Sequence, residues 1–403
     1  MTTAPAHRLD AADPLAGFRS RFVAADDPAV AAYLDGNSLG RPLTVTAQRL
    51  GAFVAEDWGR RLIRHWDEAW MAEPTVVGDR LAEVVLGAAA GQTIVADSTS
   101  VLLYKLIRAA VDARPGRDEV VVDSGNFPTD RFILDGVAAD RGLTVRRLTA
   151  PHDTGVRPAD VAAVVGERTA LVLLSQVAYR SGFLADLPAI TEVAHAAGAL
   201  VLWDLCHSAG AVPIGLDAAG VDLAAGCTYK YLNGGPGSPA FGYVATRLLD
   251  ELRQPIWGWM GADDPFAMGP EYRPANGIRR FITGTPPVLA MQPVKDMLEL
   301  IAEAGLNAVR RKSIALTEHA IARSDELLAP LGVVLASPRD AAERGSHITL
   351  DHPRFAEVTR VLWEQNVIPD FRPPNGIRIG LSPLSTSFAE LEYGLEAIAK
   401  ALH

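Results

Sequence analysis

Two residues stand where their side chains could do chemistry together. Asp204 ends the apolar run ALVLWD, and Lys230 follows in the glycine-rich stretch TYKYLNGGPG. A carboxylate at the end of a buried strand is costly unless it is paired. Glycines after a lysine let the backbone approach a ligand closely. The pair therefore indicates a ligand that needs both an amine and a carboxylate.

Pyridoxal 5'-phosphate (PLP) is such a ligand. A lysine amine forms an imine with its aldehyde, and an aspartate keeps its pyridine nitrogen protonated so that the ring accepts electrons. We therefore predict that Lys230 carries PLP and that Asp204 holds the pyridine nitrogen. The alternatives are a helix-cap or turn role for Asp204 and a surface position for Lys230. The chain has only five lysines: Lys105, Lys230, Lys295, Lys312 and Lys400.

Other residues suit the remaining parts of this cofactor. Thr99 and Ser100 lie between a strand pattern and a helix pattern, where a helix N-terminus can bind phosphate; the alternative is simple helix capping. Phe127, in GNFPTD, is expected to stack on the ring, or else to pack in the core.

The elements that must position these residues form an alternating pattern of strands and helices. Apolar runs predict strands at 93–97, 119–125, 143–148, 170–177, 199–204, 222–227 and 241–246. Runs without polar alternation are typical of strands buried on both faces, and strand–helix alternation predicts a mostly parallel sheet. Ligands bind beyond the carboxyl ends of such strands. After about residue 287, two long helix patterns precede a smaller α+β region.

Composition excludes several classes of protein. The net charge of −10 disfavours nucleic-acid binding, and no stretch approaches the length of a membrane helix. The two cysteines, Cys206 and Cys227, form neither a disulfide framework nor a metal-binding spacing. With no secretory signal pattern, we expect a cytoplasmic protein without a metal site. We also expect the first residues, including His7, to be poorly ordered.

Several longer motifs together resemble the kynureninase family of class V aminotransferase-like enzymes. They stand in order from about residue 30 to the C-terminus: YLDGNSLG, DSTS, FPTD, LWDLCHSAGAVP, YKYLNGGPGSPAF, GWMG, ITGTPP and PNGIRIG. The resemblance implies a PLP-dependent aspartate-aminotransferase-like fold (type I), with a large domain containing a seven-stranded sheet and a smaller α+β domain. We place an N-terminal segment at 1–45, the large domain at 46–288 and the small domain at 289–403.

The resemblance also implies residue roles. Lys230, Tyr229 and Asp204 would be catalytic. Arg378 would bind the substrate α-carboxylate, with Asn37 and Ser38 nearby. The cofactor would contact Thr99, Ser100, Phe127, Asp130, Ser175, Asp204, His207, Tyr229 and Lys230, together with Trp259 and Thr285 from a neighbouring subunit.

The implied reaction is hydrolytic cleavage of L-kynurenine or 3-hydroxykynurenine to the anthranilate and L-alanine, in a homodimer with shared active sites. Alternatives are another PLP reaction, such as C–S lyase, cysteine desulfurase or aminotransferase chemistry, or a relative without catalytic activity. A desulfurase needs a cysteine on a mobile loop, and neither cysteine is in such a context. The joint presence of Lys230, Asp204, Phe127 and Arg378 weighs against an inactive relative.

Three positions depart from the usual pattern of the family: Leu102, Ala262 and Ser385. Loss of polar side chains near a pocket can change substrate choice, so these positions indicate either a modified substrate or ordinary drift. His65 and Trp66 are further candidates for the wall of the substrate cavity, or else for helix packing.

Overall fold

The computed structural model describes residues 4–403. Its N-terminal segment contains helix α1, strand β1 and helix α2, at Ala4–Ala12, Ala32–Tyr33 and Thr44–Ala52. Residues 1–3 lie outside the described part of the chain, but for α1, which includes His7, the expectation of poor order is wrong, because Asp10 accepts hydrogen bonds from the Phe388 and Ala389 amides at 2.8 and 3.0 Å. These amides begin the C-terminal helix, where backbone N–H groups need acceptors.

The central part of the chain alternates strands and helices as predicted. Successive short π and 3₁₀ turns occupy 53–70 and lead into the first of its helices. The elements are α3 (Glu73–Leu81), β2 (Thr93–Ala96), α4 (Thr99–Asp112), β3 (Glu119–Asp123), α5 (Pro128–Arg141), β4 (Thr144–Leu148), α6 (Pro158–Ala162), β5 (Thr169–Ser175), α7 (Leu187–Ala196), β6 (Leu200–Asp204), β7 (Leu223–Gly226) and β8 (Ala240–Val244).

These strands form one seven-stranded sheet in the order β2-β8-β7-β6-β5-β3-β4. Only β8 runs against the others, which confirms the mostly parallel sheet. Neighbouring residues of one strand enter different hydrophobic clusters, as Val120 and Val121 do. The sheet is therefore buried on both faces, and the loops that follow the parallel strands lie at its carboxyl edge.

The C-terminal part is a smaller α+β unit. It contains α8 (Val288–Ala304), α9 (Leu306–Leu327), β9 (Val334–Leu335), β10 (His347–Asp351), α10 (Phe355–Glu364), β11 (Val367–Ile368), β12 (Asp370–Arg372), β13 (Gly376–Gly380) and α11 (Phe388–Leu402). A four-stranded sheet has the order β12-β13-β10-β9, and β1 from the N-terminal segment pairs with β11. One cluster holds Ala6, Leu34, Ile348 and Leu391, so both ends of the chain share this core.

Candidate active site

A cavity of about 510 Å³ lies at the carboxyl edge of the large sheet. Asp204 reaches it from the end of β6, and Lys230 from the loop after β7. The predicted residues that line this cavity are Thr99, Ser100, Phe127, Asp130, Asp204, His207, Tyr229, Lys230 and Thr285. The parallel strands bring these distant parts of the sequence together because they end at the same edge.

The Lys230 loop is held closely by the N-terminal segment. The Gly40 amide donates to the Tyr229 carbonyl at 2.8 Å, and a Cβ at Gly40 would lie 2.4 Å from the Lys230 carbonyl oxygen. A side chain at Gly40 would therefore displace the loop. Lys230 Nζ lies 3.0 Å from His207 Nε2 and 5.9 Å from the ring centroids of Phe127 and Tyr229.

Asp204 is fixed by neighbours on both of its oxygens. The Cys206 amide donates to Oδ1 at 2.7 Å, and Ser175 Oγ donates to Oδ2 at 3.1 Å. Ser175 contacts Asp204 but does not itself line the cavity. Asn126, which sequence reasoning missed, contacts Ser175 and donates to Asp130 Oδ2 at 2.9 Å.

Asp130 and Asp204 form a buried carboxyl pair. Burial raises the pKa of Asp130 well above its usual range, and the neighbouring charge of Asp204 raises it further. Two adjacent buried carboxylates cannot both ionise readily. Asp130 therefore keeps its proton beside Asp204.

The N-terminus of α4 faces the same cavity. Ser98 caps this helix, with its Oγ accepting from the Val101 amide at 3.5 Å. Because Ser98 fills the capping role, the hydroxyl groups of Thr99 and Ser100 are not needed for it. A helix N-terminus with two further hydroxyl groups suits a phosphate.

Arg378, on strand β13, lies in a second cluster. Its Nε donates to Asp370 Oδ2 at 2.5 Å, its Nη1 to the Tyr179 carbonyl at 2.7 Å and its Nη2 to Ser38 Oγ at 2.9 Å. Asn37 is fully buried, and its side-chain amide has no hydrogen-bond partner. Asp370 was not predicted, because nothing in the sequence shows that β12 places it opposite Arg378.

Other candidates lie away from the cavity in this chain. Trp259 is 43% exposed and does not line it. His65 and Trp66 instead pack edge-on against Trp70. These contacts favour the alternative of helix packing over a position in the wall of the cavity. Across residues 4–403, no group of His, Cys, Asp and Glu side chains is arranged to hold a metal, and no helix is long and apolar enough to cross a membrane.

The residues of the cavity fit PLP. Lys230 and Asp204 line the same space, a phosphate-binding helix N-terminus opens into it, and Phe127 offers an aromatic face. His207 Nδ1 is buried without a partner, which is costly unless a ligand or water meets it. The cavity thus offers an amine, a carboxylate, an aromatic ring and phosphate-side hydroxyl groups to a phosphorylated pyridine aldehyde.

Solved structures with this fold support the same assignment of architecture. A cysteine desulfurase from Thermococcus onnurineus NA1 superposes with a TM-score of 0.83 at 16% identity, covering 95% of this chain and 97% of that one. The cystine C-S lyase C-DES, solved with its product cysteine persulfide, gives a TM-score of 0.81 at 19% identity, covering 94% and 99%. These likenesses show the fold.

Sequence comparison identifies the family. Residues 309–398 match the profile of the kynureninase C-terminal domain. A kynureninase from Pseudomonas fluorescens is 41% identical over 402 residues, covering 98% of this chain and 94% of the relative. A kynureninase from Burkholderia pseudomallei strain K96243 is 41% identical over 401 residues, with the same coverage. This chain therefore belongs to the kynureninase family.

Proposed function

We propose that this chain hydrolyses the Cβ–Cγ bond of L-kynurenine, giving anthranilate and L-alanine, with PLP as cofactor. The observation that carries the proposal is that Lys230, Asp204, Phe127 and the α4 N-terminus meet in one cavity of a kynureninase-family chain. Lys230 would hold PLP until the substrate amine takes its place, and the cofactor would then draw electrons from the substrate Cα and Cβ and make their bonds labile.

Arg378 and its neighbours bind the substrate α-carboxylate in this proposal. A guanidinium pairs with a carboxylate in a two-point geometry that no other side chain offers. Asp370 keeps the guanidinium in place, and Ser38 and the unpartnered amide of Asn37 are the nearby donors. This arrangement orients the substrate amine towards Lys230.

Lys230 and Tyr229 move the protons. Lys230 Nζ takes the proton from the substrate Cα, with His207 Nε2 at 3.0 Å beside it. Burial raises the pKa of Tyr229, so its phenol keeps a proton that it can give to Cβ. The water consumed adds its oxygen to the γ-carbonyl carbon, which leaves as the carboxylate of anthranilate.

The cysteines disfavour the desulfurase alternative. A desulfurase passes sulfur to an accessible cysteine, but the only two cysteines here are buried, with 8% of Cys206 and 2% of Cys227 exposed. Free buried thiols also support a reducing compartment, and we propose the cytoplasm.

A homodimer with shared sites forms the second part of the proposal. The segment 257–268 exposes Trp257, Trp259, Phe266 and Met268, an apolar surface that a partner subunit would cover. Thr285 lines its own chain's cavity, whereas Trp259 does not. We propose that Trp259 completes the phosphate site of the neighbouring subunit.

The substrate is tested by mixing PLP-loaded protein with L-kynurenine and following anthranilate fluorescence. Loss of 3-hydroxykynurenine absorbance is followed in parallel, because either ring is compatible with the proposal. Rapid turnover of one of them supports it. A cofactor band without turnover of either would refute the substrate and point to a modified kynurenine or another β- or γ-substituted amino acid.

Shared sites are tested by mixing the Lys230→Ala and Trp259→Ala variants, each expected to have little activity. A heterodimer places intact Lys230 of one subunit beside intact Trp259 of the other, so activity should return to about a quarter of wild type for random pairing. No recovery in a mixture shown to exchange subunits would refute the sharing.

A further inference from the structure

Lys105, on helix α4, is fully buried next to the wall of the cavity. Its Nζ donates to Asp97 Oδ2 at 2.6 Å and to the Phe281 carbonyl oxygen at 2.8 Å. Burial lowers the pKa of Lys105, and the hydrogen bond and charge of Asp97 oppose that shift. A buried ammonium group is costly unless it is paired, so this lysine calls for a physical reason.

The two partners of Lys105 belong to segments that line the cavity. Asp97 is itself a lining residue, together with residues 98–100 at the start of α4. The Phe281 carbonyl leads into the segment 282–287, which also contributes to the lining. Lys105 therefore ties together two parts of the cavity wall from behind.

The Asp97 carboxylate is placed where it would disfavour a phosphate. Asp97 directly precedes Ser98, the N-cap residue of α4, and 24% of its side chain is exposed. A carboxylate at this position repels a phosphate dianion and competes with it for the positive end of the helix dipole. An unpaired Asp97 would therefore weaken phosphate binding at the same N-terminus.

The turn at residue 97 depends on the residue type and not on its charge. Asp97 has a φ of 51°, in the left-handed region where Asp and Asn are the favoured residues after glycine. Asparagine can adopt the same turn without a charge. The electrostatic effect of Asp97 can therefore be removed while its backbone conformation is kept.

We propose that Lys105 is a positioning residue for the cofactor phosphate, because its ammonium group neutralises and holds the Asp97 carboxylate and so leaves the N-terminus of α4 to the phosphate. The inference rests on the proposed placement of the phosphate at Thr99 and Ser100. Lys105 does not line the cavity, so it acts on the cofactor only through Asp97 and the segment that follows Phe281.

PLP and pyridoxal, which differ only in the phosphate, provide a direct readout. The protein without cofactor is titrated with each compound, and the visible band of the imine with Lys230 gives the Kd. Lys105→Met leaves Asp97 unpaired, so the Kd for PLP should rise by about 10- to 100-fold, while that for pyridoxal should change by less than about threefold. Each value is compared with that of the wild type for the same compound.

A double variant separates charge from packing. Lys105→Met with Asp97→Asn has neither charge, so its Kd for PLP should return to within about threefold of wild type. Lys295→Met is the matched control, since Lys295 donates to Glu73 at 2.7 Å and does not line the cavity, and it should change neither Kd. If Lys105→Met does not fold, Lys105→Gln, which keeps a hydrogen-bond donor without the charge, replaces it with the same expectation.

A purely structural role for Lys105 would give a different pattern. Equal weakening of PLP and pyridoxal binding, no change in either, or failure of Asp97→Asn to restore PLP binding in the double variant would overturn the proposal.

The variant Thr99→Ala tests the phosphate placement separately. If it weakens the binding of PLP relative to pyridoxal and Lys105→Met does not, the placement stands and the role of Lys105 is refuted. Failure of the proposed function would look different again, because the protein would not turn over kynurenine while the selective loss of PLP binding in Lys105→Met persisted.

Discussion

Replacing each member of the buried carboxyl pair by asparagine should have very unequal effects. Asp204 is the member that we propose to pair with the pyridine nitrogen of PLP, whereas Asp130 is held in its neutral form by burial and by the neighbouring Asp204. Asn resembles a protonated carboxyl group in shape and in hydrogen bonding. We therefore expect Asp130→Asn to preserve most of the site and Asp204→Asn to destroy it.

The magnitudes follow from the contacts. Removing one partner of a buried ion pair costs about 3–5 kcal/mol, so at about 1.4 kcal/mol per tenfold Asp204→Asn should lower kcat/KM by about 10²- to 10⁴-fold. Asp130→Asn exchanges one neutral hydrogen-bonding group for another beside Asn126, a change of about 0.5–1.5 kcal/mol, or at most about tenfold.

The assay is anthranilate release from L-kynurenine by the two variants, with PLP content measured by absorbance so that rates refer to loaded protein. Far-UV circular dichroism checks that both fold. Equal losses in the two variants, or a larger loss in Asp130→Asn, would refute the proposed pairing of Asp204 with the pyridine nitrogen.

Three further variants test other parts of the site. Lys230→Ala should abolish both the visible cofactor band and turnover, because none of the other four lysines lines the cavity; an absorbance scan decides this. Arg378→Lys keeps the charge but loses the two-point geometry, and should raise KM by about 10- to 100-fold with a smaller change in kcat, measured by steady-state kinetics. Gly40→Ala should lower the melting temperature and the retention of PLP because its Cβ meets the Lys230 carbonyl, whereas Gly17→Ala, with open space around it, should do neither.

Buried strands were the most predictable part of the fold. The runs around Val121, Val172 and Val201 are apolar throughout because both faces of each strand pack in hydrophobic clusters. All seven predicted strands of the large sheet are present, with ends within about two residues of the predicted ones. The β4 strand is less apolar because it lies at the sheet edge and exposes Thr144, Arg146 and Arg147 to solvent. The docking of α1 was not predicted, since it depends on Asp10 meeting the amides of a helix at the other end of the chain.

In the site, the residues with a local signature were predictable and their long-range partners were not. Asp204 and Lys230 each stand at the end of an apolar run, which placed both at the sheet edge. His347, in contrast, lies inside the strand pattern SHITL and looks like an ordinary buried residue. Its ring centroid lies 5.3 Å from that of His207 because the central and C-terminal parts of the chain pack together there, and the periodicity of a sequence does not report such packing.

The three departures from the family pattern differ in how they could affect substrate choice. Leu102 is buried in the core against Gly242, and Ser385 is buried in a turn whose carbonyl accepts from Arg19. Neither lines the cavity, so a substrate ring could sense them only through packing. Ala262 follows Trp259 in the exposed segment that we propose to reach the neighbouring subunit. If the loss of a polar side chain altered the substrate, Ala262 is the position that could act directly on a ring, through the site of the neighbouring subunit in the proposed dimer.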